Sequence, residues 1–136
     1  MTIRTAAQRR ADAAAEQRAR FDSCPANRVM ERISDKWVAL VFRALADGPL
    51  RRGDLARALP GASPKVLTET LRRLERDGLL ARAVEAGVPV RVAYGLTEVG
   101  LDLLPVLDTV ARWAEANIAG IDAAQDAYDA RTGHEG

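Results

Sequence analysis

The chain has 136 residues, room for one domain of ordinary size, and its 48% apolar content is enough for a packed core, which argues against global disorder. One cysteine and one histidine exclude an internal disulfide framework and a Cys/His zinc site, and no apolar run approaches a membrane span. The net charge of +1 names no partner, but its distribution is uneven. Five arginines face Asp12 and Glu16 in residues 1–20, and residues 51–82 hold eight basic side chains against four acidic ones. Residues 98–136 hold Arg112 and Arg131 against eight acids. A basic middle beside an acidic tail suggests a face for a polyanion, with ordinary solvated helix faces as the plainer reading. The basic, Ala-rich N-terminus lacks an apolar signal core, and a lone free thiol fits a reducing cytoplasm.

In chain order, residues 1–20 are rich in Ala, Arg and Gln and predict a basic extension that is either a solvated helix or an arm. Ser23-Cys24-Pro25 starts the next helix, with Cys24 near the N-cap and Val29, Met30 and Ile33 turned inward. Ser34 and Asp35 supply another cap. Trp37, Leu40, Val41, Ala44 and Leu45 then recur at helical spacing until Asp47-Gly48-Pro49. A short helix follows from about Gly53 to Leu59 and is broken by Pro60-Gly61. Ser63-Pro64 begins another, with Leu67, Leu71 and Leu74 as its inner stripe and Asp77-Gly78 as its stop. Leu79 to Val84 and Arg91 to Leu96 read as two strands of a hairpin. Thr97 caps a final long helix with a stripe of Leu103, Leu107, Val110, Ala114, Ile118 and Ile121 and a kink expected at Pro105. Two short helices, a tight break and a two-stranded ribbon make a winged helix-turn-helix. The fold class is therefore mainly α with a small β-hairpin wing, flanked by N- and C-terminal dimerisation helices. Residues 1–20 form the extension, 21–113 the winged domain, and 114–136 the end of the dimerisation helix and its tail.

The helix from Ser63 is the candidate for DNA recognition. Opposite its leucine stripe lie Lys65, Glu69, Arg72 and Arg76, with Thr68 and Arg73 at the flanks. Arg chelates guanine, Glu accepts from a cytosine amine, and hydroxyls suit bases or phosphates. The competing reading is a solvated helix with Glu69 paired to Arg72 and Arg73. Arg91 on the hairpin is expected on a minor groove or phosphate rail, and Arg51 and Arg52 are candidates for phosphate contacts. Cys24, with Arg28 one turn on, is either an activated thiol or small apolar filler. Nucleophilic catalysis lacks support: His134 sits in a polar tail, no phosphate loop is present, and Asp122 and Asp126 are solubilising. Leu103, Val110 and Asn117, and Leu107, Ala114 and Ile121, recur at sevens beside Trp113, as in a packing seam between subunits.

These residues also resemble a known family. Cys24-Pro25, Asp35-Lys36-Trp37, Gly48-Pro49, Arg51, Leu55, Leu59-Pro60-Gly61, Ser63-Pro64-Lys65-Val66-Leu67, Leu71, Leu74-Glu75, Asp77-Gly78-Leu79, Arg82, Tyr94, Leu96-Thr97-Glu98, Gly100 and Pro105-Val106-Leu107 are similar to the HxlR-type branch of MarR-like regulators. The similarity runs from about Asp22 to Trp113. It implies a homodimeric bacterial transcription factor in which the Ser-Pro helix reads DNA and the hairpin is the wing. It also implies, for Cys24, a sensor of oxidants or electrophiles. With no second cysteine, that role is restricted to a Cys24-to-Cys24 bond between subunits, a mixed disulfide or a direct adduct. Arg52-Gly53 departs from the aromatic and polar pair usual in the family. The expected partners are double-stranded DNA, a second copy and an electrophile or small-molecule effector, with no cofactor, no metal and no membrane. A protein-interaction module with a basic face is the reading from another class.

Overall fold

The structure is a computed structural model that describes residues 3–133. Helix α1 (Ala6–Asp22) starts in a capping box, in which Thr5 and Gln8 satisfy each other's backbone amides, yet it buries none of its residues. Asn27 Nδ2 donates to the Phe21 carbonyl at 2.8 Å, which ties the end of α1 to α2 (Pro25–Ile33). Helix α3 (Lys36–Ala44) is capped by Asp35, whose carboxylate accepts from the Trp37 amide at 2.8 Å.

The predicted break at Gly48 is confirmed by its positive φ of 143°. After it comes β1 (Leu50–Arg51), then α4 (Arg52–Ala58) and α5 (Pro64–Arg76). Strands β2 (Leu80–Glu85) and β3 (Arg91–Leu96) form the hairpin. All pairings are antiparallel in the order β1-β3-β2, with Leu50 opposite Tyr94, Leu80 opposite Leu96 and Glu85 opposite Arg91. The sequence reading missed β1, so the wing is a three-stranded sheet rather than a hairpin alone.

Helix α6 (Glu98–Thr132) is capped by Thr97 and runs unbroken through Pro105. Thr97 Oγ1 also donates to the Gly78 carbonyl at 2.6 Å, and its amide donates to the Leu79 carbonyl at 3.1 Å. Gly100 permits this close approach: a Cβ there would lie 2.2 Å from the Leu79 oxygen.

The core is built from Val38, Val41, Phe42 and Leu45 of the α3 segment, Leu55 and Leu59 around α4, Leu67, Leu71 and Leu74 of α5, and Leu80 of β2. The inward face of α3 therefore comprises Val38 and Phe42 together with the expected Val41 and Leu45, while Trp37, Leu40 and Ala44 are only partly buried. Val29 and Met30, expected inward, are exposed in the single chain, as are Val110, Ile118 and Ile121 of α6. Only the early part of α6, through Leu103, Leu104 and Leu107, packs on the core.

Candidate nucleic-acid interface

The helix-turn-helix is assembled by burial on one side and hydrogen bonds at its joints. Ser63 caps α5, its hydroxyl accepting from the Val66 amide at 3.1 Å, and Pro64 occupies the first turn. Leu67, Thr70, Leu71 and Leu74 are buried, and the Thr70 hydroxyl is satisfied by the Val66 carbonyl at 2.8 Å. This fixes which side of α5 faces out. Lys65, Glu69, Arg72 and Arg76 all lie on it and are exposed. Among the described residues, no ion pair joins Glu69 to Arg72 or Arg73, so the side chains that could read a groove are not consumed by one another.

Two flanking residues are engaged within the protein. Arg73 Nη2 lies 3.2 Å from Asp35 Oδ2 and so links α5 to the cap of α3. Arg52 Nη2 donates to Thr68 Oγ1 at 2.6 Å and to the Pro64 carbonyl at 3.1 Å. A second ion pair, Arg32 Nε to Asp77 Oδ2 at 2.6 Å, joins α2 to the residue capping the end of α5.

Beside α5, the sheet adds further cations. Arg91 is exposed at the start of β3, across from Glu85 at the base of the loop 86–90. Arg51 is exposed on β1. A cleft of about 260 Å³ between α5 and the sheet is lined by Arg52, Thr68, Leu71, Arg72, Glu75, Arg82 and Tyr94. Arg82 was not among the predicted site residues. Its signal was the alternation of β2, which puts Arg82 on the same side as buried Leu80 and hence toward α5.

Cys24 lies apart from this face. It is the N-cap of α2, half-buried, and its side chain makes no capping hydrogen bond. Its carbonyl accepts from the Arg28 amide at 3.1 Å. His134 lies outside the described residues. Among the described residues no cluster of His, Cys, Asp or Glu could hold a metal ion, and no helix is long and apolar enough to cross a membrane.

The HxlR-like helix-turn-helix pattern matches residues 32–122, which span α3 to α5, the whole sheet and most of α6. The chain belongs to the HxlR-like family. An HTH-type transcriptional regulator of Methanothermobacter thermautotrophicus is 40% identical over 92 residues, covering 68% of this chain and 70% of the relative. The solved structure of the putative transcriptional regulator ytfH from Salmonella typhimurium is 34% identical with a TM-score of 0.66, covering 77% of this chain and 94% of that one. The redox regulator HypR in its reduced form is 33% identical with a TM-score of 0.68, covering 73% of this chain and 98% of that one. This HxlR-like chain is accordingly a helix-turn-helix transcriptional regulator, not an enzyme, and DNA is the partner that the fold implies. The family pattern begins at Arg32, so α1 and nearly all of α2 lie outside it.

Proposed function

We propose that the chain acts as a homodimer on a near-palindromic operator, with the two copies of α5 entering successive major grooves about 34 Å apart. The observation that carries this reading is the outward face of α5, where Lys65, Glu69 and Arg72 are exposed and free of ion pairs among the described residues, with Arg91 likewise exposed on the wing. Lys65, Thr68, Glu69 and Arg72 read base edges, Ser63 borders the groove, and Arg51 and Arg91 meet phosphates. Arg73 joins them only by releasing Asp35. The winged domain is residues 21–113. The extension 1–20 is a basic helix or arm, and 114–136 ends the dimerisation helix and its tail, a role supported by Val106, Val110, Trp113 and Ile118 standing exposed along α6 from the winged domain onward.

For the signal, we favour oxidant or electrophile sensing at Cys24. The support is a free, half-buried thiol at a helix N-cap and the similarity to a protein described as a redox regulator. A second reading has its own observation. A cleft of about 560 Å³ between α2 and α6, lined by Val29, Ile33, Leu79, Val99, Leu103 and Val106 with Arg28 and Asp102, has the size and mixed lining of a small-molecule effector site.

Selecting bound duplexes from a random pool, with and without oxidant, tests these readings together. A palindromic consensus that is lost on oxidation, and retained by Cys24→Ser, supports both the DNA reading and the thiol switch. Release that persists in Cys24→Ser moves the switch elsewhere. Weak binding without sequence preference, together with retention of an acidic protein, indicates an interaction module instead.

A further inference from the structure

The first turn of α5 is held by a residue that the DNA reading would otherwise spend on phosphate. Arg52, the first residue of α4, reaches across the turn and places one guanidinium nitrogen 2.6 Å from Thr68 Oγ1 and 3.1 Å from the Pro64 carbonyl. Both acceptors lie in the opening turns of the recognition helix. A cation near a helix N-terminus opposes the helix dipole, but hydrogen bonds from a charged donor are stronger than that opposition and keep the side chain in place. Arg52 is half-buried in this position, whereas Lys65, Arg72 and Arg91 are exposed.

The contact also decides what Thr68 offers. A threonine hydroxyl has one proton and two lone pairs. With a guanidinium N–H donating to Oγ1, one lone pair is occupied and the proton must turn away from Arg52. The hydroxyl is thereby left free to donate elsewhere, and the acceptors of a base edge, guanine O6 or N7, adenine N7, or thymine O4, are of the matching kind.

We infer that Arg52 is a positioning residue: it sets the pose of the first turn of α5 and the hydroxyl orientation of Thr68, and through Thr68 it determines base preference at one operator position without touching DNA. This rests on the reading of α5 as the DNA-reading helix.

The test uses the full-length protein with Arg52→Gln, Arg52→Lys, Thr68→Val, Thr68→Ser and the double variant Arg52→Gln/Thr68→Val. Base preference is read by duplex selection, and affinity for the selected duplex is measured across a salt series. Thermal melts confirm that each variant folds, and Arg52→Lys keeps the charge if Arg52→Gln does not fold. Arg52→Gln and Thr68→Val should each weaken binding about tenfold and alter preference at the same position. The double variant should be no worse than either single one, Thr68→Ser should behave as wild type, and the salt slope should not change. A salt slope lower by about 0.9 in Arg52→Gln, with base preference intact, would make Arg52 a phosphate ligand and overturn the inference. Additive losses in the double variant would do the same.

A second arm needs no DNA. Amide exchange at Leu67 and Thr68 of the free protein should quicken in Arg52→Gln, and unchanged rates would remove the brace. If the wild type selects no duplex, the DNA reading fails while this arm still reports on Arg52.

Discussion

Two glycines in the same helix should respond in opposite directions to the same substitution. A Cβ at Gly100 would sit 2.2 Å from the Leu79 carbonyl oxygen and 3.2 Å from its carbon, about 1 Å inside ordinary contact. The obstacle is backbone, so it cannot swing aside. The same carbonyl accepts from the Thr97 amide at 3.1 Å, at the cap of α6. Gly100→Ala must therefore push α6 off the junction of α5 and β2. Overpacking costs about 1–3 kcal/mol and weakening the cap bond about 1 kcal/mol, against a gain of about 1 kcal/mol in helix propensity. The expected net is about 2 kcal/mol of destabilisation, or a Tm lower by roughly 8 °C for a domain of this size. Gly120 has nothing within 4 Å of its added Cβ, so Gly120→Ala should stabilise by about 0.5–1 kcal/mol. Urea and thermal melts followed by circular dichroism, at two protein concentrations, measure both. Equal stabilisation by the two substitutions would refute the close approach of α6 to Leu79.

Ser63→Ala removes the acceptor for the Val66 amide and should cost about 1 kcal/mol in a urea melt, with a further loss of operator affinity as the first turn of α5 frays. Arg72→Ala should cost about 1–3 kcal/mol of operator binding and relax preference at one base pair, measured by competition with single-base variants; an unchanged profile would take Arg72 out of the groove. Arg91→Ala should weaken all duplexes alike and reduce the salt slope by about 0.9. Trp113→Glu places a charge in the exposed apolar row of α6, and sedimentation should show dissociation to single chains at concentrations where the wild type is paired.

How far the sequence could be read depended on the range of the interactions involved. The inner stripe of α5 was legible because Leu67, Leu71 and Leu74 recur at the helical period between a Ser-Pro start and an Asp-Gly stop, all local signals. The phase of α3 was legible only in part, at Val41 and Leu45. Residues 37–42 are apolar without interruption, so periodicity could not choose Val38 and Phe42 over Trp37 and Leu40. Strand β1 escaped notice because two residues carry no alternation, and its pairing partners Ala93 and Tyr94 are supplied from far along the chain. The roles of the arginines were the least legible. Arg52 and Arg72 look alike in composition and charge, and only tertiary contact with Thr68 separates the engaged Arg52 from the exposed Arg72. For α6, the apolar seam was visible, but the single chain covers only its first turns, so Val110, Ile118 and Ile121 stand exposed.

The close seat at Gly100 acquires further weight from the length of the helix it anchors. Some 32 residues separate Gly100 from Thr132, an arm of about 48 Å at 1.5 Å per residue. A tilt of about 5° at that fulcrum carries the far tip through roughly 4 Å. Small adjustments where α5 meets the sheet are thereby magnified at the tip, and a displacement imposed on the tip is geared down into a fine rotation beneath the leucines of the core.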